Sequence, residues 1–325
     1  MTCALPDDPR CPARHPRVLV EQKQLRCTES RFSSVKAEGV RRRRPGCVRG
    51  ILDGYAPPRG KRGGSSQGGT VTPETFVDFT APNGLSSWYH VWDSGNAGIM
   101  YYFDGDYWDL DDTSINWPEE GDLARLAVAA RARDLMFVAV NTPDEDGSGD
   151  GYTWWEDCKA NGKYFRALHE HIVERNPQVD ASNIWLVGYS GGAEFITYEL
   201  LDRGIPGMTH GGAVIIGGGG ANAPVATKKK ARPCIGNTEM HWWVGDQDVD
   251  GATNPPEWSA LGAAEEGVAA FQAAGFDTNL HVLPGVDHSG YDAVACLSHA
   301  LPAVSRKAGL RAALSDGWVR LTRET

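Results

Sequence analysis

The chain predicts an α/β fold, a mostly parallel central sheet with helices on both faces. Two observations carry that prediction. From about residue 70 onward, short apolar runs alternate with segments of helical period, the order that builds βα units joined by right-handed crossovers. The runs are also continuously apolar, as in Ile184-Trp185-Leu186-Val187, which suits strands buried on both faces.

Residues 76–79 and 88–92 read as opening strands, joined in a hairpin across Pro82-Asn83-Gly84. An apolar strand over 99–103 ends at Asp104-Gly105-Asp106. Leu123, Leu126, Ala127 and Ala130 then recur at helical spacing before a strand over 135–140. Tyr164, Leu168 and Ile172 mark a second helix, followed by the strand over 184–187. Phe195, Ile196, Tyr198, Glu199 and Leu200 mark a third. Residues 213–216, 240–244 and 280–283 supply the remaining strands, with a helix over 265–274 between the last two. From Arg311 a weak amphipathic pattern ends the chain.

With 325 residues and 41% hydrophobic content the chain can bury a sizeable core. Charge divides it. Residues 1–64 carry a net +9, while the remainder carries −19. The basic segment holds Arg41-Arg42-Arg43-Arg44, seven prolines and little apolar periodicity, so it cannot offset its ordering entropy by burial. The expected organisation is a disordered basic extension with a Gly/Ser linker over 1–70, then one folded domain over 71–325. A solvated tail is the favoured reading of the basic run, ahead of a nucleic-acid contact. The opening MTCALPDDPR lacks an apolar core of signal-peptide length, so the expectation is a cytoplasmic protein, or an exported one if the true start differs. No apolar span approaches about 20 residues, so no membrane partner is expected. Cys3, Cys11, Cys27, Cys47, Cys158, Cys234 and Cys296 are too irregularly spaced for a disulfide framework or a zinc pattern.

One turn points to chemistry. Gly188-Tyr189-Ser190-Gly191-Gly192 lies between the strand over 184–187 and the helix that follows. In such a GxSxG the small flanking residues let the chain turn sharply and expose the serine hydroxyl above the sheet edge. Gly64-Ser65-Ser66-Gln67-Gly68 matches the same expression, but with no strand before it and no helix after it. Context separates the two.

A serine hydroxyl needs a base to take its proton and a third group to hold that base. Past the strand over 240–244 comes Gly245-Asp246-Gln247-Asp248-Val249-Asp250. Asp248 is favoured as the orienting acid because the turn projects it back toward the serine; Asp246 is the runner-up and Asp250 also competes. After the strand over 280–283 comes Pro284-Gly285-Val286-Asp287-His288, which makes His288 the candidate base, whereas His281 and His299 suit packing or solvent. An oxyanion needs two aligned N–H donors. Gly191 supplies one, and the loop after residue 103 supplies the other through the N–H of Asp106.

A strand, a GYSGG elbow, then acid and histidine in the order Ser, Asp, His resemble the α/β-hydrolase superfamily over about residues 75–305. Within it, YYFDGD and GYSGGAEF look like esterases of the feruloyl-esterase, polyhydroxyalkanoate-depolymerase and esterase D type. These often carry His-Gly where this chain has Asp104-Gly105. The resemblance implies a serine hydrolase cleaving small or polymeric carboxylic esters through an acyl-enzyme, without cofactor or metal. A peptidase using the same three residues, or a binding module on the same fold, are the alternatives.

Tyr107, Trp108, Trp154 and Trp155 flank the expected cleft, and their rings suit acyl chains, aryl esters or sugar rings. Asp144-Glu145-Asp146-Gly147-Ser148-Gly149-Asp150 resembles the start of a calcium loop, but residue twelve is Trp155 and not the closing Glu. A polar loop bordering the site is therefore favoured.

Overall fold

The structure, a computed structural model, describes residues 73–144, 151–222, 224–225, 232–253 and 256–302. The basic extension, the Gly64–Gly68 match, the first four cysteines, most of the calcium-like segment and the pattern after Arg311 lie outside these residues.

Eight strands form one sheet in the order β1-β2-β4-β3-β5-β6-β7-β8. They are β1 Glu74–Thr80, β2 Ser86–Trp92, β3 Gly98–Phe103, β4 Leu135–Val140, β5 Asn183–Tyr189, β6 His210–Ile216, β7 Thr238–Gly245 and β8 Asp277–Leu283. β2 runs antiparallel to both of its neighbours, and the strands from β4 across to β8 are parallel. The expected hairpin joins β1 and β2, closed by the Gly84 N–H donating to Ala81 O at 2.9 Å.

Side chains on a strand alternate between faces, and here both faces are covered. Ile99, Tyr101 and Phe103 of β3 and Met136, Val138 and Val140 of β4 enter one core with α2 (Cys158–Arg175), α3 (Gly191–Phe195) and α5 (Ala260–Ala273). Met100, Tyr102, Leu135, Phe137 and Ala139 enter the other, with α1 (Gly121–Arg131) and α6 (Ala293–Ala300). That is why the central strands read as unbroken apolar runs. Among the described residues, no helix is long and apolar enough to cross a membrane.

Three departures from the sequence expectations are instructive. α5 begins at Ala260, five residues before the expected start, because the Ser259 hydroxyl caps it by accepting from Gly262 N–H. Two short 3₁₀ turns, Leu110–Asp112 and Ser114–Asn116, follow β3. The helix after Ser190 widens to a π-helix over Ile196–Leu200 and closes with a short α4, Leu201–Arg203. Five marked positions within six consecutive residues are too many for one α-helical stripe. Here Phe195, Ile196 and Leu200 enter the core, while buried Glu199 meets Arg166 at 2.8 Å and the Arg203 guanidinium at 2.5 Å. Arg166 also donates to Gly204 O and Glu199 O, tying α2 to the helix behind Ser190.

Candidate active site

Ser190 has φ 49° and ψ −119°, a conformation that non-glycine residues rarely adopt and that persists only where the surroundings enforce it. The surroundings here are backbone. Ser190 N–H donates to Ile216 O at 2.9 Å, and Ser190 O accepts from Ala193 and Glu194 N–H. A Cβ at Gly188 would lie 2.6 Å from Gly192 O, and one at Gly192 would lie 2.3 Å from Phe103 O. Those two glycines let strand, turn and helix pass in contact.

Asp248 follows β7 and His288 follows β8, so the parallel sheet delivers both to the same edge as Ser190. The His288 ring lies between them, with Nε2 2.8 Å from Ser190 Oγ and Nδ1 2.8 Å from Asp248 Oδ2. Asp248 is fully buried. An ionised carboxylate only accepts, so Nδ1 carries the proton and Nε2 is left to accept from the serine. Asp246, the other acid considered, is exposed and accepts from Gly285 N–H at 2.7 Å, which fastens the turn. Asp250 is also exposed.

Two tyrosines not singled out from the sequence hold this arrangement. Tyr291 donates to Asp248 Oδ2 at 2.6 Å and accepts from Gly245 N–H at 2.9 Å. Burial, together with the adjoining Asp248, raises its pKa, so it remains a hydroxyl donor. Tyr189, inside the elbow, donates to His288 O at 2.6 Å. Trp258 packs edge-on against the imidazole, 5.5 Å between centroids.

The two aspartates around Gly105 face different ways. Asp104 is buried and accepts from Tyr102, Thr113 and Ser114 hydroxyls and from Gly105 and Ser114 N–H. It staples the loop back onto β3. Asp106 is exposed, and its side chain lies over the elbow: a Cβ on Gly191 would fall 2.0 Å from its Oδ1. Its Oδ2 accepts from Trp155 Nε1 at 2.8 Å. The Gly191 backbone and the Asp106 side chain therefore border the same space.

The aromatic residues divide, and three sequence expectations are corrected. Trp154 is 2% exposed, stacked on Phe195 and edge-on to Phe103; it is core and offers no surface to a ligand. Tyr107 is buried too, donating to Asn141 and stacked on Tyr152 across a one-residue β-bridge. Trp108 is 68% exposed, stands beside Gly151, and does not line the cavity at the serine. Trp155 does line it.

Two cavities border the candidate residues, one at the serine and one at the histidine. One, about 170 Å³, is lined by Ser190, Gly191, Asp106, Trp155, Glu194, Tyr198 and Trp258. The other, about 300 Å³, includes His288, Tyr102, Asp104, Tyr189 and Tyr291 in its lining. Glu194 was also missed from sequence. Burial raises its pKa, and it accepts from Gly219 and Gly220 N–H at 3.0 Å each. A charged residue four positions after the serine, inside an apolar helix, was the available signal. Among the described residues no group of three or more His, Cys, Asp or Glu is arranged to hold a metal ion, and Cys158, Cys234 and Cys296 are free thiols.

One reversed strand at β2, six parallel strands beyond it and a strained turn after β5 define an α/β-hydrolase fold. No protein-family model matches the chain, and no curated protein is similar to it in sequence. Among solved structures it is similar to an uncharacterised protein from Bacillus cereus (14% identity, TM-score 0.45, covering 66% of this chain and 61% of that one). It is likewise similar to a poly(3-hydroxybutyrate) depolymerase from Bordetella parapertussis (14%, 0.45, 71% and 88%). A third is an α/β serine hydrolase without a lid from Xanthomonas campestris (16%, 0.42, 73% and 100%).

Proposed function

We propose that this protein is a serine hydrolase that cleaves carboxylic esters through an acyl-enzyme. The observation that carries the reading is the unbroken hydrogen-bonded chain from Asp248 through His288 to Ser190, ending on a residue held at positive φ. His288 Nε2 takes the Ser190 proton as Oγ attacks the ester carbonyl, and Asp248 steadies the imidazolium that forms. The N–H groups of Gly191 and Asp106 stabilise the tetrahedral oxyanion. His288 then gives its proton to the departing alcohol, and water repeats the sequence in reverse to free the acid.

The direct test is a fluorophosphonate probe with peptide mapping, beside turnover of an activated acetate ester. Labelling confined to Ser190 and lost in Ser190→Ala and His288→Ala is the expected result. A folded protein that neither labels nor turns over any activated ester would exclude the reading.

A further inference from the structure

The cavity of about 170 Å³ beside Ser190 has an unusual lining. Its walls are three aromatic rings, Trp155, Tyr198 and Trp258, and two acidic side chains, with no Lys, Arg or His among them; Asp106 is the exposed one, and burial raises the pKa of Glu194, so the negative charge is that of Asp106. Aromatic faces attract cations through their quadrupole, most strongly where water is excluded, and a carboxylate supplies the opposite charge. Tyr198 is hydrogen-bonded to Glu194, and Trp155 to Asp106. Each acid is thus fixed in the wall beside a ring. An aliphatic acyl chain would use the rings and gain nothing from the acids, and an anionic one would be repelled.

The geometry also says which part of the ester enters. A departing alcohol takes its proton from His288 Nε2 and leaves, while the acyl group remains bonded to Ser190 Oγ. The smaller cavity is the one that Ser190 lines, so it borders the group carried on that oxygen. Its volume is on the order of six water molecules, enough for a short chain with a compact head. Asp106 adds a second argument. Its carboxylate lies against Gly191, close to where the oxyanion forms, and a negative charge there opposes the tetrahedral intermediate. A cation seated on Asp106 offsets that charge just when the oxyanion develops.

We infer that the cavity is an acyl pocket for a short acyl group ending in an ammonium. The inference rests on the serine-hydrolase reading. Its test compares p-nitrophenyl 4-(trimethylammonio)butanoate with the uncharged isostere p-nitrophenyl 5,5-dimethylhexanoate and with the anionic hemi-ester of glutarate. Each kcat/KM is divided by that ester's own rate with hydroxide at one ionic strength. The cationic ester exceeds the neutral one at least tenfold, the anionic ester is the poorest, and the cationic-to-neutral ratio falls toward one in Asp106→Asn and in Trp258→Leu. As a check that needs no variant, tetramethylammonium chloride inhibits neutral-ester hydrolysis competitively where equal sodium chloride does not. Neutral turnover with a ratio at or below one, or a ratio that survives Asp106→Asn, overturns the pocket assignment and leaves the hydrolase reading standing. Failure of Ser190 to label or to turn over either ester overturns both.

Discussion

Replacing Glu199 by Gln tests how the helix behind Ser190 is anchored. The Glu199 side chain is 3% exposed, with Arg166 at 2.8 Å from Oε1 and Arg203 at 2.5 Å from Oε2. Two charges about 4 Å apart at an effective dielectric of about 20 interact by about 4 kcal/mol. Gln retains an acceptor oxygen, and Arg203, at 38% side-chain exposure, regains water. Arg166 is the residue that suffers: at 16% exposure it loses the opposite charge and keeps only neutral acceptors, the amide oxygen and the main-chain carbonyls of residues 204 and 199. Breaking a buried pair by neutralising one member costs roughly 3–5 kcal/mol, and the partial rehydration puts this case near 3. For a domain of this size that lowers Tm by about 6–12 °C. Far-UV circular dichroism melts, supported by urea titration at constant m-value, measure it. Arg203→Met serves as the exposed control and costs about 1 kcal/mol or less. Because the pair is buried, the Glu199→Gln deficit persists in 0.5 M salt. A Tm within about 2 °C of the parent protein would refute the argument that Arg166 depends on this carboxylate.

Other outcomes follow from the same structure. Tyr291→Phe removes a donor to the buried Asp248 carboxylate, a bond worth about 1.5–3 kcal/mol; kcat of an activated ester falls about tenfold or more with KM little changed, and an unaltered kcat would remove Tyr291 from the arrangement. Gly192→Ala drives a Cβ to 2.3 Å from Phe103 O, so the variant is recovered unfolded or loses Ser190 labelling at least 100-fold. His169 is buried between Tyr101 and Pro206 O, and burial lowers its pKa to about 4. Its folded pKa is depressed below the ordinary value, so the stability it permits is complete above pH 6.5 and falls by up to about 3 kcal/mol as pH drops to 4. His169→Gln flattens that slope by close to one proton in urea titrations, and an unchanged slope counts against it. Burial pushes the thiols of Cys158 and Cys296 up to about 12 and that of Cys234 to about 11; mass spectrometry finds them unalkylated by iodoacetamide at pH 8 in the folded protein and alkylated in urea.

The sheet was readable because burial on both faces leaves an unmistakable trace in a strand, an apolar run with nothing to alternate against. Ser190, Asp248 and His288 were readable as candidates for a related reason. Each follows the carboxyl end of a strand, and a parallel sheet brings those ends to one edge. Loops carry no such periodicity. Trp154 and Trp155 are neighbours in sequence, yet one is stacked inside the core on Phe195 and the other bonds to Asp106 at the cavity. Asp104 and Asp106 differ by two positions, and one staples a loop while the other overhangs Gly191. Only backbone dihedrals decide such cases. The Tyr291 contact with Asp248 joins residues 43 positions apart, and no spacing rule announces it. The π-helix escaped because five marked positions within six residues exceed one α-helical stripe without showing which turn widens.

The Tyr189 hydroxyl grips the main-chain carbonyl of residue 288 and asks nothing of that residue's side chain. The seat opposite Ser190 is thus built by the scaffold and leased to whichever amino acid the gene supplies. A glutamate or a non-natural imidazole analogue installed at 288 should be presented from the same main-chain position, so the side chain there is an exchangeable part, open to reprogramming without rebuilding the loop that holds it.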